Sequence, residues 1–351
     1  VYKTIIACLA LAAATPASAQ FLSFDAPGAG TKPGQGTYSN DVQGIDQNLV
    51  VVGNVIDQSG AMAGFIKNAD ADAVVFHASG QLETHAIGVN FSGVVTGYYV
   101  DGSGMSHGYI YPGSPSEASF DVPGAAGTQA FAIDIKRQVA GQYSDANGVQ
   151  HGFLRKASGK FKTFDGSTSA SGPGTFVTSM ADNQFITGFW FDANTAMHGY
   201  VRDPKGNITA LDVPAAGSGT LQGTQPEAVD ELGGVAGFYT DAAGVRHGFQ
   251  HTDQGKLVTF DAPGAGTASG EGTVVTGMSF RVVVGYYLDG NHVAHGFLRR
   301  KAGSFRTFDA PGAGTVPGSG TFTSRVSAHG ILAGTTLDAH GVAHGWSGAR
   351  K

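Results

Sequence analysis

Cysteine is almost missing from this chain. The one thiol is Cys8, which excludes a disulfide framework and any cysteine-based metal site. Charge is scarce as well: Asp, Glu, Lys and Arg make up 14% of 351 residues, the net charge is -6, and Lys and Arg form no long run. Neither a nucleic-acid footprint nor an anionic-membrane patch is expected from such a balance. Beyond the first twenty residues no stretch is apolar enough to span a bilayer, so no membrane insertion is expected once a leader is removed. A 3.6-residue apolar period is also missing, which argues against helical repeats. What is abundant is glycine, at 55 residues, beside 22 Phe and 11 Tyr. That combination reads as many short strands joined by tight turns.

The first residues have a different character. Lys3 precedes an apolar run from Thr4 to Ala14, followed by Pro16-Ala17-Ser18-Ala19-Gln20. A positive start, a short apolar stretch and a small-x-small end predict a secretory signal peptide over residues 1–19, cut after Ala19. Cys8 leaves with it. Residues 20–351 are then expected to form one exported domain, in the periplasm or the medium.

Internal repetition organises that domain. A Gly recurs at 53, 97, 141, 188, 237, 285 and 334, and four residues after each stands an Asp, from Asp57 and Asp101 to Asp338. Six residues further on comes a His (His107, His151, His198, His247, His295, His344), with Ala63 in the first copy, and then a Gly-aromatic pair. A second block lies between these: Phe24-Asp-Ala-Pro-Gly28, with related forms at Phe120, Leu211, Phe260 and Phe308. Phe164-Asp-Gly166 is a decayed copy, and Phe76-His77 stands at the remaining position.

The period is 44 to 49 residues, and each copy holds four strand-like runs. In the fifth copy these are 226–230, 234–241, 247–250 and 256–261. Four antiparallel strands at this period is the arithmetic of a β-propeller blade. The mature chain opens on a lone fourth strand, 21–28, and finishes with strands one to three, 321–347. The fold class expected is therefore all-β: a seven-bladed β-propeller of four-stranded antiparallel blades, closed by the N-terminal strand. Closure would remove the sheet edges that invite aggregation.

The Asp-x5-His-Gly-aromatic spacing resembles the bacterial secreted repeat family named for its His-Ala-Phe motif, here written His-Gly-Phe or His-Gly-Tyr. That resemblance implies export and repetition and carries no activity. The motif itself reads as a turn clamp. Asp-x-x-Gly is a type I turn with the carboxylate accepting backbone amides, and the His begins the returning strand within reach of that Asp. Gly104-Met-Ser106-His107-Gly108 matches the Gly-x-Ser-x-Gly nucleophile pattern, but its Gly and His belong to the repeat. Asn68-Ala-Asp70-Ala-Asp72 alternates like calcium ligands without the Gly and Glu a calcium-binding hand requires.

Function is then expected where copies differ, on the first strand of each blade. Counting back from the repeat Gly, position nine holds Gly44, Gly88, Ala132, Ser179, Ala228 and Thr276, and then Arg325; position ten holds Glu227 among neutral residues. Position seven gathers Asp46, Asn90, Asp134 and Asp230, oxygen donors that could converge on calcium or, alternatively, cap the next turn. His85 also lies off the repeat. By its fold the chain looks like the calcium-dependent propeller lactonases. That likeness implies a hydrolase of a small lactone or ester with these four residues as ligands, Glu227 or His85 as base, and Arg325 stabilising negative charge. The alternative is a non-catalytic extracellular module that binds a glycan, peptide or surface polymer.

Overall fold

A computed structural model describes residues 21–39, 50–69, 71–78, 83–112, 118–167 and 173–349. The expected leader and Asp46 lie outside these residues. Among the described residues there are 27 strands and no helix, so the all-β expectation holds. The N-terminal strand is β1 (Phe21–Phe24). An antiparallel meander follows: β2 (Gly36–Ser39), β3 (Val51–Ile56), β4 (Met62–Lys67) and β5 (Val74–Phe76). The second comprises β6 (Glu83–Val89), β7 (Val95–Val100) and β8 (Ser106–Tyr111), with Phe120 bridged to Gly108 in place of a fourth strand.

The third is β9 (Gly127–Ile133), β10 (Val139–Ser144), β11 (Gln150–Arg155) and β12 (Phe161–Phe164). The fourth is β13 (Thr175–Met180), β14 (Ile186–Phe191), β15 (Met197–Arg202) and β16 (Ile208–Leu211). Next come β17 (Gly223–Val229), β18 (Val235–Thr240), β19 (Arg246–His251) and β20 (Leu257–Phe260), within a few residues of the four runs expected there. The sixth is β21 (Gly272–Ser279), β22 (Val282–Leu288), β23 (Ala294–Arg299) and β24 (Phe305–Phe308). The last meander, β25 (Gly320–Val326), β26 (Ile331–Leu337) and β27 (Ala343–Ala349), takes β1 as its fourth strand, with Phe21 opposite Gly348 and Phe24 opposite Gly345.

Single parallel bridges between a third strand and the next first strand, such as Met197 with Gly223 and Arg246 with Gly272, link 23 strands as one sheet and leave β9–β12 as a separate one. The same bridge joins Ala343 of the last meander to Gly36 of the first. Gly36 and Gly223 need to be glycine: each has φ near +116 to +118°, and a Cβ there would strike the backbone of the partner strand.

The two sequence motifs turn out to be halves of one packing arrangement. The aromatic of each Gly-aromatic pair (Phe65, Tyr109, Phe153, Tyr200, Phe249, Phe297, Trp346) is at most 1% exposed. The Gly before it lets a fourth-strand Phe lie flat against the third strand: a methyl at Gly248 would overlap the Phe260 ring, and one at Gly152 the Phe164 ring. Adjacent meanders share the resulting core, as where Phe249, Val235 and Tyr239 pack with Leu211, Val213 and Ala181.

A further recurring contact holds each fourth strand to the following first strand. A threonine one residue into that first strand, fully buried, accepts the amide two residues past the Phe. Examples are Ala262 N to Thr273 Oγ1 and Val213 N to Thr224 Oγ1, both 2.9 Å. Thr84, Thr128, Thr175 and Thr321 repeat it at 2.9–3.1 Å. In the decayed block the amide belongs to Gly166, so the bond outlasts the Asp-Ala-Pro sequence. Thr37 makes it with Ala26 N, 2.9 Å, tying the N-terminal strand to the first meander.

A buried amide stripped of its acceptor costs about 1–3 kcal/mol. Thr273→Val should therefore lower unfolding free energy by about that amount in urea titration, while Thr273→Ser should recover most of it. Equal stability of the Val variant and the parent would show that the hydroxyl carries no such role.

Candidate functional site

The repeated His sits between two carboxylates. In each turn the Asp carboxylate accepts two amides of its own turn, as Asp145 Oδ1 does from Asn147 N (2.8 Å) and Val149 N (2.9 Å). The expected His contact is present but long: Nε2 lies 3.3 Å from the turn Asp for His107–Asp101 and 3.8 Å for His151–Asp145. The shorter contact was not anticipated. Nδ1 meets the Asp of the second block, fourteen residues on: His151–Asp165 2.7 Å, His247–Asp261 2.8 Å, His295–Asp309 2.9 Å. His344 finds Asp25 at 2.9 Å, across the chain ends.

Five of these imidazoles also stack on a second-strand Tyr or Trp, for example Tyr239 on His247 at 5.0 Å and Trp190 on His198 at 4.5 Å. The first copy has Ala63, Val55 and His77 in place of His, aromatic and Asp, and the last copy keeps His344 and Asp25 with Thr336 in place of the aromatic. Ser106, from the nucleophile-like pattern, lies on β8 opposite Val100, in a strand pair rather than at a strand-to-helix elbow.

The first strands differ from a plain ladder. In β6, β9, β13, β17, β21 and β25 the register with the second strand slips once, leaving an extra residue: Ile87, Phe131, Thr178, Glu227, Thr276 and Ser324. A bulge re-aims its side chain. Counting from the repeat Gly aligned these positions correctly except in the sixth copy, whose hairpin turn at Phe280-Arg281, both at positive φ, is one residue shorter. Thr276 therefore matches Glu227, and Gly277 matches Arg325. Where the bulge residue is a hydroxyl it donates to the neighbouring first strand: Thr178 to Pro226 O and Thr276 to Thr323 O at 2.7 Å, and Ser324 to Ser39 O at 3.0 Å.

Glu227 instead accepts from Gln225 Nε2 at 2.7 Å. Arg325, 7% exposed, passes over the side-chain-free Gly277 and brings Nη2 to 3.5 Å from the Glu227 carbonyl.

Two cavities flank this level. The first, about 680 Å³, is walled by Gln225, Glu227, Phe238, Thr276 and Tyr286, with Arg246 at its edge. Gln225 stands two residues into its strand, and the same register holds Tyr38, His85, Gln129, Phe176 and Phe322, all half-buried. His85 bonds Glu83 at 3.2 Å and stacks on Tyr98 at 4.2 Å. Burial lowers the His85 pKa, with Glu83 opposing, and burial together with Glu83 pushes Tyr98 up to about 12. Phe176 stacks on Phe189 at 5.2 Å, and Tyr286 meets Phe322 edge-on at 5.0 Å. This aromatic and amide register escaped the sequence reading. Its signal was the Gly-Thr that opens most first strands, a better anchor than the downstream Gly.

The second cavity, about 750 Å³, receives Asn90, Asp230 and Arg325. Asn90 Oδ1 accepts Ser92 N and Val94 N, at 3.0 and 3.1 Å. Asp230 Oδ1 accepts Leu232 N and Gly234 N, at 3.0 and 2.8 Å. Asp134 accepts Lys136 N and Gln138 N on Oδ1 and Gln138 Nε2 on Oδ2, at 2.7–2.9 Å. Burial raises its pKa despite these bonds. All three thus cap the turn between first and second strands. Asn90 joins the neighbouring turn too, its Nδ2 donating to Asp134 O at 2.9 Å. Among the described residues no three His, Cys, Asp or Glu side chains are grouped so as to hold a metal ion.

No protein-family model matches the sequence, and no curated protein matches it. Among solved structures, the chain is similar to the BP39L lectin from Burkholderia pseudomallei, with 11% identity, TM-score 0.48, and 88% of this chain and 94% of that one covered. It is similar to the SapL1 lectin, solved in complex with alpha methyl fucoside, with 12% identity, TM-score 0.45, and coverage of 82% and 98%. A prolyl endopeptidase structure matches at 12% identity and TM-score 0.47, covering 90% of this chain and 55% of that one. No functional residue is carried across from them.

The clamp makes stability depend on pH from both sides. Asp101 is held below the usual carboxylate range, first by the Ser103 hydroxyl and then by the Met105 and Ser103 amides; for Asp145 the Val149 amide leads. Such depressed groups stabilise the fold above about pH 4 and lose that contribution as pH falls through their folded values. For His107, burial pulls the pKa down, but bonds to Asp121 and Asp101 outweigh it and leave it raised. Its contribution is complete below about pH 6.5 and is lost as pH rises through the folded value. The melting-temperature difference between the parent and His107→Ala should therefore be largest below about pH 6.5 and shrink as pH rises above it. A difference that stays constant from acid to alkaline pH would contradict this.

Proposed function

We propose that the chain is a seven-bladed β-propeller closed by its N-terminal strand, exported from a bacterial cell, and that it works as a glycan-binding module. Closure is supported by contacts that recur across the chain ends in the same form as elsewhere. Ser324 reaches Ser39 as Thr276 reaches Thr323, Gly36 meets Ala343 as Gly223 meets Met197, and Ala26 meets Thr37 as Ala262 meets Thr273. First strands of successive meanders also pack on one another, β13 on β17 and β17 on β21, as strands around a bore must.

The binding reading rests on one observation: the half-buried aromatic and amide side chains of Tyr38, Gln129, Phe176, Gln225 and Phe322 share one register of those inner strands, with the Glu227 carboxylate on the adjoining bulge. Tyr38, Phe176 and Phe322 offer apolar ring faces to the C–H surface of a sugar. Gln225, Gln129 and Glu227 offer planar donors and acceptors to its hydroxyls. A cavity of about 680 Å³ is of the size that encloses a small ligand. Calcium-assisted hydrolysis is less well supported, because Oδ1 of each of Asn90, Asp134 and Asp230 already accepts two backbone amides of its own turn.

A glycan array followed by calorimetry should identify a saccharide ligand. Gln225→Ala and Phe176→Ala should each weaken it at least about tenfold, the loss of one good polar contact or stacking face. Absence of any saccharide ligand, together with turnover of a lactone or ester, would reverse the assignment. In the same preparation, millimolar calcium or a chelator should leave the melting temperature unchanged; a rise with calcium would reinstate the turn residues as ligands.

A further inference from the structure

The second cavity has a character unlike the first, and charge is segregated around it. Its floor is apolar, built from Val89, Ile133, Met180, Val229, Met278 and Val326. At its edge Phe91, Leu232 and Phe280 are 38%, 63% and 69% exposed. Large apolar side chains on a rim where each projects from a turn cost solubility and mark contact with a ligand. The acidic residues come from the fourth and fifth meanders: Asp182, Asp230 and Glu231. The basic ones come from the sixth and last: Arg281, Lys301 and Arg325. Arg281 is anchored by Asp253 at 2.6 Å, and Arg325 is almost fully buried. On the other wall Asp182, Asp230 and Glu231 set three carboxylates along one side of the cavity; a cation placed there relieves their mutual repulsion.

The geometry points to a site for a short apolar peptide with free ends, its ammonium on the Asp182–Glu231 side, its carboxylate on the Arg281–Lys301 side, and its side chains on the Met180–Met278 floor. An apolar body alone would be served by the floor, and a lone anion or cation by one wall. The opposed charges ask for both in one molecule. At about 750 Å³ the cavity exceeds a single amino acid and matches a ligand of a few residues. The site is separate from the glycan register, so the two assignments stand or fall independently.

The test is calorimetry of the full chain with a panel of free-ended di- and tripeptides of Leu, Ile, Val, Met and Phe, and with the same peptides N-acetylated or C-amidated. Either cap should weaken the best ligand at least about tenfold, the value of one charge-assisted pairing. Glu231→Lys should weaken the free peptide similarly and remove the effect of acetylation, and Lys301→Glu should remove the effect of amidation. Both positions are exposed, so folding should survive, and unchanged melting would confirm it. Three outcomes overturn the proposal: no panel member binding tighter than about 1 mM, doubly capped peptides binding as well as free ones, or a fatty carboxylate binding as tightly as the peptide.

Discussion

One buried hydroxyl per repeat decides how the sheets follow one another. The threonine that opens each first strand accepts the amide just past the preceding Phe-Asp pair, and it does so whether the two are six residues apart, as in Thr84 and Thr128, nine, as in Thr175, or eleven, as in Thr224 and Thr273. Loop length varies while the bond stays constant. An amide left bare there would be buried without a partner, which the fold cannot tolerate at every junction. The connecting loops are therefore free to differ in length and composition, while the attachment of each fourth strand to the following first strand stays the same.

Around that junction the conspicuous motifs have structural tasks. The Gly of His-Gly-aromatic makes room for the Phe of Phe-Asp, and the Asp beside that Phe holds the His by its Nδ1. The turn Asp takes up its own amides and meets the other ring nitrogen. Third strand, fourth strand and turn are thereby tied at one corner of each meander. Copy one, with Ala63, also lacks the aromatic and the Asp, whereas the last copy has Thr336 at the aromatic position and still pairs His344 with Asp25, so the His–Asp contact does not depend on the stacked ring. The first strands stand apart from that corner: in six of them, among the described residues, a bulge turns one side chain out of the ladder at the same level.

The architecture was largely legible because period, turn residues and strand alternation are local properties. The four strands of the fifth copy appear within a few residues of their expected places, and the Asp-x-x-Gly turns cap as their composition requires. The site was less legible. Asn90, Asp134 and Asp230 share a repeat position and an end of the strands, but Oδ1 of each is drawn back to its own turn. Glu227 and Arg325 differ from their repeat equivalents in sequence, yet Arg325 meets the Glu227 carbonyl rather than its carboxylate, and the two line different cavities. The sixth copy was misaligned by one residue because a tight turn shortens it where no motif residue reveals the change.

The sequence by itself determined the repeat, the strand count per repeat, and which residues form the turns, since these follow from spacing and from the conformational preferences of Gly, Asp and Pro. Only the tertiary structure decided that His344 meets Asp25, 319 positions away, that Ser324 reaches Ser39, 285 away, and that Glu227 sits on a bulge. Such contacts depend on how one sheet stacks on the next. That stacking is set by the shared core and the buried threonine bond, and spacing along a single repeat carries no record of it.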